Sequence, residues 1–239
     1  RSFTSSVVQE NPDAVVLAGR CYERESVPFK AVDSVIDQLS EYLMSLPPSH
    51  AEVLLPKQMG ALAQVFPILS RLAARQTAGQ DAGGLPADLF ELRRIAFVAL
   101  RTLLQRLAVE RTLVLVVDDL QWADADSLAL LEELLRQPLP PPMLLLATVR
   151  TTSTSPDALT EATRLRCLAA GVQQLHVAKL PDADARELVW QLLASVATEP
   201  SPAEAAALAA EAAGHPLFID ELVRQHLLQN GAAMPRLDD

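Results

Sequence analysis

The stretch of sequence that decides the fold is Leu113-Val-Leu-Val-Val-Asp-Asp-Leu-Gln-Trp-Ala-Asp124. Its first five residues are apolar and rich in valine, which is typical of a central parallel strand covered by helices on both faces. Asp118 and Asp119 follow directly. Because the carboxyl ends of parallel strands face the crevice in which open α/β sheets bind ligands, this stretch predicts a parallel sheet with an acidic ligand-binding edge.

Strands and helices are predicted to alternate around this stretch. Short apolar runs at 14–18, 143–148 and 174–177 indicate further strands. Between them, apolar residues recur at helical spacing, notably after Pro28 and after Pro86, and Asp124 or Asp126 can cap the helix that follows the central strand. This order of elements is typical of βαβ units, so we expect a three-layer α/β fold with a parallel sheet between helices.

The last part of the chain has a different pattern, which is purely helical. One helix is expected after Asp182, a second is opened by the capping box Ser201-Pro-Ala-Glu204 with proline at its first helical position, and a third begins at Pro216. Gly214 and Gly231 lie where helix C-terminal caps belong. We therefore expect a partial α/β core over residues 1–180 and a small helical subdomain over residues 181–239.

Composition narrows the possible functions. Lys and Arg number 20 against 30 Asp and Glu, and the net charge of −10 repels phosphate backbones and anionic membrane surfaces. Direct nucleic-acid binding and membrane attachment are therefore disfavoured. Cys21 and Cys167 are isolated in sequence and form no CxxC or Cys/His cluster, which favours free thiols and a cytoplasmic location.

The aspartate pair at the end of the central strand has two interpretations. Mg²⁺ prefers oxygen ligands and keeps several waters, so Asp118 is a candidate metal ligand. Asp119 is then placed to orient or deprotonate an attacking water, since phosphoryl transfer depends mainly on positioning. The competing interpretation is that the two acids only cap the following loop.

Three motifs, in the right order, resemble one known group of proteins. The segment from Asp118 to Asp124, a leucine-rich helix and Leu144-Leu-Leu-Ala-Thr-Val-Arg150 together resemble the Walker B and sensor 1 segments of the STAND group of AAA+-like P-loop ATPases. Gly214-His-Pro-Leu-Phe-Ile-Asp-Glu-Leu222 resembles the GxP motif of the helical lid in that group. Gly19 to Ala31 is similar to the segment after the second strand in bacterial members, particularly those fused to serine/threonine kinase domains or helix-turn-helix regulators.

The resemblance implies ligands and roles for individual residues. It implies a P-loop NTPase core followed by a helical lid. In the intact parent protein, this core and lid would bind ATP or ADP with Mg²⁺ and hydrolyse ATP. Arg150 resembles the sensor arginine that contacts the terminal phosphate, and Thr148 is a second candidate for that contact. Gly214 and Pro216 correspond to the adenine-binding GxP motif. The plainer alternatives are a solvated Arg150, a strand-closing Thr148 and a helix-starting Pro216.

One feature of the family is missing from these residues. A phosphate-binding loop places a lysine directly after its last glycine, whereas Lys30, Lys57 and Lys179 follow Phe, Pro and Ala. The glycine pair Gly83-Gly84 runs into Leu-Pro and has no strand before it. We therefore expect the first strand and its loop to lie upstream of Arg1 in a longer parent. We also expect the 239 residues alone to bind ATP at best feebly and to be marginally stable or aggregation-prone.

These features favour a nucleotide-dependent switch over a fast metabolic enzyme. By resemblance, ATP would gate self-association and the activity of effector or sensor domains fused to this chain. The alternative is a non-catalytic protein-interaction module whose acidic strand end is vestigial. A DNA-binding ATPase of the origin-recognition kind is disfavoured by the net charge of −10 and by the lack of a basic helix.

Overall fold

The structure of the protein is a computed structural model that describes residues 2–23, 28–76, 86, 88–150, 172–195 and 201–229. The chain divides into two compact units, Arg1–Val172 and Gln173–Asp239. The described part of the first unit contains strands and helices, and that of the second contains helices alone. The division precedes the boundary that we predict after residue 180.

A parallel sheet forms the centre of the first unit. Its described strands are β1 (Val15–Arg20), β2 (Leu113–Asp118) and β3 (Met143–Ala147), in the order β1-β2-β3. Both neighbours run parallel to β2, which is therefore central in the described sheet. The three strands predicted before residue 150 are confirmed, as is a parallel α/β architecture.

Helices connect the strands and supply most of the core. In chain order they are α1 (Ser2–Glu10), α2 (Asp33–Ser45), α3 (Pro48–Leu54), α4 (Met59–Val65), α5 (Ser70–Gln76), α6 (Leu89–Glu110) and α7 (Ala125–Leu135). Short 3₁₀ turns occur at Pro67–Leu69 and Leu120–Trp122. Apolar residues of α2, α4, α6 and α7 join those of β1 and β2 in one hydrophobic core.

The long helix α6 illustrates how local sequence sets an element. Asp88 is its N-cap, and its carboxylate accepts hydrogen bonds from the backbone N–H groups of Phe90 and Glu91. These bonds satisfy two donors that a helix start leaves without a partner. Most of the apolar residues that recur at helical spacing are buried, although Leu89 at the start of the helix is 73% exposed; the buried ones include Leu92, Ala96, Ala99, Leu100, Leu103 and Leu107.

A close approach between β1 and the start of α2 depends on Gly19. A Cβ atom at this position would lie 2.7 Å from the carbonyl oxygen of Ala31 and 3.2 Å from Cγ2 of Val35. The first distance is shorter than any normal van der Waals contact, so glycine is required here for packing. This approach brings the end of β1 close to the chain that leads into α2.

The second unit packs three described helices, α8 (Asp182–Ala194), α9 (Pro202–Ala212) and α10 (Pro216–Gln229). They share an apolar core to which each helix contributes three buried residues. Ser201 and Pro202 occupy the predicted N-cap and first helical positions of α9. The expected capping box is wrong, however, because the Ser201 side chain makes no capping hydrogen bond.

The strand predicted at 174–177 is also wrong, because residues 172–180 have no regular secondary structure. The apolar side chains of Leu175 and Val177 are 81% and 93% exposed. A strand exists through hydrogen bonds to a neighbouring strand. The described elements of the unit that contains these residues are all helices, so no described strand of that unit supplies such hydrogen bonds.

Two further features bear on the sequence predictions. Cys21 is a free thiol buried in the core, and burial raises its pKa to about 11. Cys167, Gly83, Gly84 and Gly231 lie outside the described residues. Across the described part of the chain, no helix has both the length and the apolarity that a membrane crossing needs.

Candidate functional site

The candidate site begins where β2 ends. Asp118 is the last residue of the strand, and Asp119 turns the chain into the 3₁₀ segment Leu120–Trp122. Asp119 has φ 56° and ψ 43°, a left-handed conformation that few residues other than glycine, asparagine and aspartate adopt readily. The turn leaves Asp118 on the surface, with 45% of its side chain exposed, whereas the Asp119 side chain is only 10% exposed.

Thr148, the residue after β3, ties the two strand ends together. Its backbone N–H donates to the carbonyl oxygen of Val117 at 3.0 Å, and its own carbonyl oxygen accepts from the backbone N–H of Leu120 at 2.9 Å. Its Oγ1 accepts from the backbone N–H of Asp119 at 2.9 Å and donates to Oδ1 of Asp118. One side chain on the neighbouring strand end therefore contacts both candidate acids.

Two arginines converge on the carboxylate of Asp119. Arg20 donates through Nε and Nη2 to Oδ2 at 3.2 and 3.0 Å, and Arg150 donates through Nε to Oδ1 at 3.0 Å. Gln121 adds a bond from Nε2 to Oδ1 at 2.9 Å, and its Oε1 accepts from the backbone N–H of Arg150 at 3.0 Å. The ends of β1 and β2 and the chain beyond β3 thus meet at one carboxylate.

These contacts determine the ionisation of the site. The hydrogen bond from Gln121, followed by those from Arg20 and Arg150, holds the pKa of the Asp119 carboxyl below its usual value, although burial acts in the opposite direction. The hydrogen bond to Asp119 likewise raises the pKa of the Arg20 guanidinium. Asp119 is therefore a carboxylate at neutral pH, and its lowered pKa makes it a weak proton acceptor.

Asp118 is better placed than Asp119 to hold a cation. Its Oδ1 accepts from the Thr148 hydroxyl, and its Oδ2 lies 3.7 Å from Nε of Arg20. The described residues contain no group of three or more acidic, histidine or cysteine side chains placed to hold a metal ion. Mg²⁺ is commonly held by one or two carboxylates together with waters and substrate phosphates, so a single half-exposed carboxylate at a strand end fits it.

Asp124 has a structural role that confirms its prediction as a helix cap. It is the N-cap of α7, where its carboxylate accepts from the backbone N–H of Ser127 at 3.2 Å and also from the Ser127 hydroxyl. It also accepts from the backbone N–H of Phe29 at 3.0 Å, and Oγ of Ser127 accepts from that of Ala31 at 3.1 Å. Burial raises the pKa of Asp124, but these hydrogen bonds together lower it below its usual value.

The predicted residues Gly214 and Pro216 lie in the second unit. Gly214 has φ 74° and follows Ala213, the left-handed C-cap of α9 at φ 49°, so the predicted C-terminal cap is confirmed. The carbonyl oxygen of Gly214 accepts from the backbone N–H of Leu180 at 2.8 Å. Pro216 is the first residue of α10. Of the predicted site residues, the structure thus brings together Asp118, Asp119, Thr148 and Arg150.

Sequence reasoning missed two residues of the site, Arg20 and Gln121. A signal for Arg20 existed, because Arg20 ends a predicted parallel strand and the ends of parallel strands meet at one edge of the sheet. In the structure Arg20 is the register partner of Asp118. Gln121 had no comparable signal, because its amide reaches Asp119 only through the left-handed turn.

A parallel α/β sheet with paired acids at the carboxyl end of its central strand fits the core of the P-loop NTPase class. Within this class the family is shown directly: a family model described as AAA ATPase domain matches residues 1–146, and the chain belongs to that family. The family indicates a nucleotide-binding ATPase function, and its members generally bind ATP or ADP with Mg²⁺. A comparison with curated proteins finds no match.

Proposed function

We propose that this chain is an ATP-binding and ATP-hydrolysing switch domain of the STAND type, within a cytoplasmic signalling or transcriptional regulator. The observation that carries the proposal is the convergence of Asp118, Asp119, Thr148 and Arg150 at one edge of the sheet. Phosphoryl transfer needs acidic groups that hold the metal ion and a cationic group that binds the phosphates. In this proposal, bound ATP gates self-association and the activity of fused effector or sensor domains.

Asp118 would hold Mg²⁺, directly or through water. The Thr148 hydroxyl donates to Oδ1 of Asp118, which orients the carboxylate at the end of β2. Bound there, Mg²⁺ would neutralise charge on the phosphates. This chain fixes the direction of the Asp118 carboxylate, because the Thr148 hydroxyl that binds it is itself held by the backbone N–H of Asp119 at 2.9 Å.

Arg150 would contact the terminal phosphate of the nucleotide. Its side chain is 69% exposed, and its Nε donates a hydrogen bond to Oδ1 of Asp119. A guanidinium presents further N–H groups in a planar fork that matches phosphate oxygens. Thr148 would support this contact by holding the turn, and Gly214 and Pro216 would contribute to adenine binding. For Asp119 we propose orientation of the attacking water in preference to deprotonation, because its pKa is lowered.

One observation favours a second candidate function, a non-catalytic interaction module derived from such an ATPase. The Asp119 carboxylate accepts four hydrogen bonds from Arg20, Gln121 and Arg150. A carboxylate offers about four lone-pair sites, so a water could bind Asp119 only if one of these partners moved away. Single-turnover measurement of ATP hydrolysis separates the two functions, since the module binds partners without turnover.

The proposal is tested by titrating the full-length protein with ATP in the presence of Mg²⁺ and again with EDTA. We expect Mg²⁺-dependent binding that Asp118→Asn weakens by about tenfold, because a charged ligand of the metal is lost. The matched control is Asp126→Asn, since Asp126 lies on α7 in the same unit and pairs with Arg93 at 2.9 Å. Equal affinities of wild type and Asp118→Asn, or equal losses in both variants, would reject the metal site.

A further inference from the structure

The carboxylate of Asp119 is fully occupied by side-chain donors. Oδ2 accepts from Nε and Nη2 of Arg20 at 3.2 and 3.0 Å, and Oδ1 accepts from Gln121 at 2.9 Å and from Arg150 at 3.0 Å. Because about four lone-pair sites are available, each one has a partner. The two arginines take opposite oxygens, so they are connected to each other through this one side chain.

The Asp119 carboxylate is much less exposed to solvent than the two guanidinium groups that bind it. The Asp119 side chain is 10% exposed, whereas the side chains of Arg20 and Arg150 are 51% and 69% exposed. The carboxylate therefore lies beneath two guanidinium groups that reach solvent. A recessed carboxylate under exposed cations is suited to orienting those cations, because it is screened by them from an incoming anion.

Arg20 and Arg150 contact this carboxylate differently. Arg20 uses two nitrogens on one oxygen, while Arg150 uses only Nε, and its backbone N–H is held by Oε1 of Gln121 at 3.0 Å. Among the described residues, none accepts a hydrogen bond from a terminal nitrogen of Arg150. Arg150 is thus held through its backbone N–H and its Nε, and within the described part of the chain its terminal nitrogens have no hydrogen-bond partner.

We propose that Arg20 is a positioning residue that acts through Asp119: by occupying Oδ2 it directs Oδ1 to Nε of Arg150, and so presents the terminal nitrogens of Arg150 to the phosphate end of a nucleotide. This inference rests on the proposed function. In the site without nucleotide it assigns Asp119 the role of an anchor for arginines, and one of the partners of this carboxylate would have to move before Asp119 could orient a water. It also gives β1 a part in the site through its last residue.

The proposal requires the two-nitrogen contact of Arg20 and not merely a positive charge. Arginine presents its donors in a fixed planar fork, whereas lysine offers a compact charge on a flexible stem. Arg20→Lys should therefore keep a positive charge beside Asp119 but lose the two-nitrogen contact that orients the Asp119 carboxylate. A role limited to neutralising the acidic strand end would be restored fully by lysine.

The first test observes the positioning directly by NMR of the protein, without nucleotide. In Arg20→Ala we expect the Nε–H of Arg150 to exchange faster with solvent, because Oδ1 of Asp119 is no longer directed towards it. Arg20→Lys should restore little of this exchange protection. Arg94→Ala is the control, since Arg94 forms an exposed pair with Glu91 on α6.

Unchanged Arg150 Nε–H exchange in Arg20→Ala would overturn the proposal, as would complete recovery by Arg20→Lys. Thermal melts of each variant identify any general loss of structure, and protection of amides in the core of α6 provides the internal reference. Because this test involves no ligand, its result stands whether or not the protein binds nucleotide.

The second test is a double-mutant cycle on the preference for ATP over ADP. Arg20→Ala should reduce the preference, and the double variant with Arg150→Ala should lose no more than Arg150→Ala alone, because both act through the same contact. Additive losses would show independent roles and reject the proposal. Absence of nucleotide binding by the wild type would instead reject the proposed function, and the NMR result would then decide the positioning role alone.

Discussion

Thr148 and Asp119 are joined across the ends of two neighbouring strands: Oγ1 of Thr148 accepts the backbone N–H of Asp119 at 2.9 Å. The same hydroxyl donates its own proton to Oδ1 of Asp118. A hydroxyl is both a donor and an acceptor, so one threonine can hold a left-handed turn and orient the acid next to it. The two acids at the end of β2 are thereby coupled to the chain beyond β3.

Thr148→Val should destabilise the first unit by about 1–3 kcal/mol, because it leaves the N–H of Asp119 without its partner. Urea unfolding followed by circular dichroism measures this loss. Thr102→Val is the matched control, since Thr102 lies on α6 and its hydroxyl donates to the carbonyl oxygen of Val98 at 2.9 Å within the same helix. We expect the control to change stability by less than about 0.5 kcal/mol. Equal losses would contradict the assigned role of Thr148.

Asp119→Asn should reduce single-turnover hydrolysis of ATP by about 10²-fold, since the charge that orients the water and the arginines is lost. Its affinity for Mg-ATP should change less than that of Asp118→Asn. Quench-flow measurement of the bound nucleotide gives the hydrolysis rate separately from binding. Turnover at the wild-type rate would remove Asp119 from the catalytic site, whereas a wild type that does not hydrolyse ATP would favour the interaction module.

Arg150→Ala should reduce the preference for ATP over ADP by about tenfold, because the terminal phosphate loses a charged hydrogen bond. The ADP affinity should hardly change. Titration calorimetry with both nucleotides gives the ratio. Arg136→Ala is a suitable control, as Arg136 is an exposed arginine in the same unit that pairs with Glu133 at 3.0 Å. An unchanged ratio in Arg150→Ala would separate this residue from the phosphate.

The stability of the first unit should fall in acid partly through Asp119. The folded state lowers the pKa of this carboxyl, so its stabilising contribution is complete above the unfolded pKa and is lost as pH falls through the folded value. Asp119→Asn should therefore show a shallower loss of unfolding free energy between about pH 5 and pH 2. Chemical denaturation at several pH values measures both slopes. Identical slopes would indicate that the folded state does not perturb this carboxyl.

Gly214→Ala should weaken the second unit by about 2 kcal/mol or more, because a left-handed alanine is strained and its Cβ would overlap a backbone atom. That Cβ would lie 2.4 Å from the carbonyl oxygen of Leu180. The converse change, Ala213→Gly, should be neutral or stabilising, since Ala213 is already left-handed at φ 49°. Native-state hydrogen exchange of α9 and α10 amides measures both. Similar effects of the two changes would contradict the backbone argument.

The sequence alone was sufficient for the class of fold and for the position of the acids. A short, valine-rich apolar run that ends in two aspartates is typical of an inner strand that helices cover on both faces, and this places Asp118 and Asp119 at the carboxyl end of the sheet. Asp124 was predictable as a helix cap for a similar reason, because a cap is a local contact that a few neighbouring residues determine.

Tertiary structure alone decided how the site is connected. The meeting of Arg20, Arg150 and Gln121 on Asp119 joins residues 99, 31 and 2 positions away, and it depends on the left-handed turn that buries this carboxylate. The predicted strand at 174–177 failed for the same reason. Apolar periodicity shows which side chains favour burial, but a strand forms only where a neighbouring backbone supplies hydrogen bonds, and the sequence near residue 175 does not contain that information.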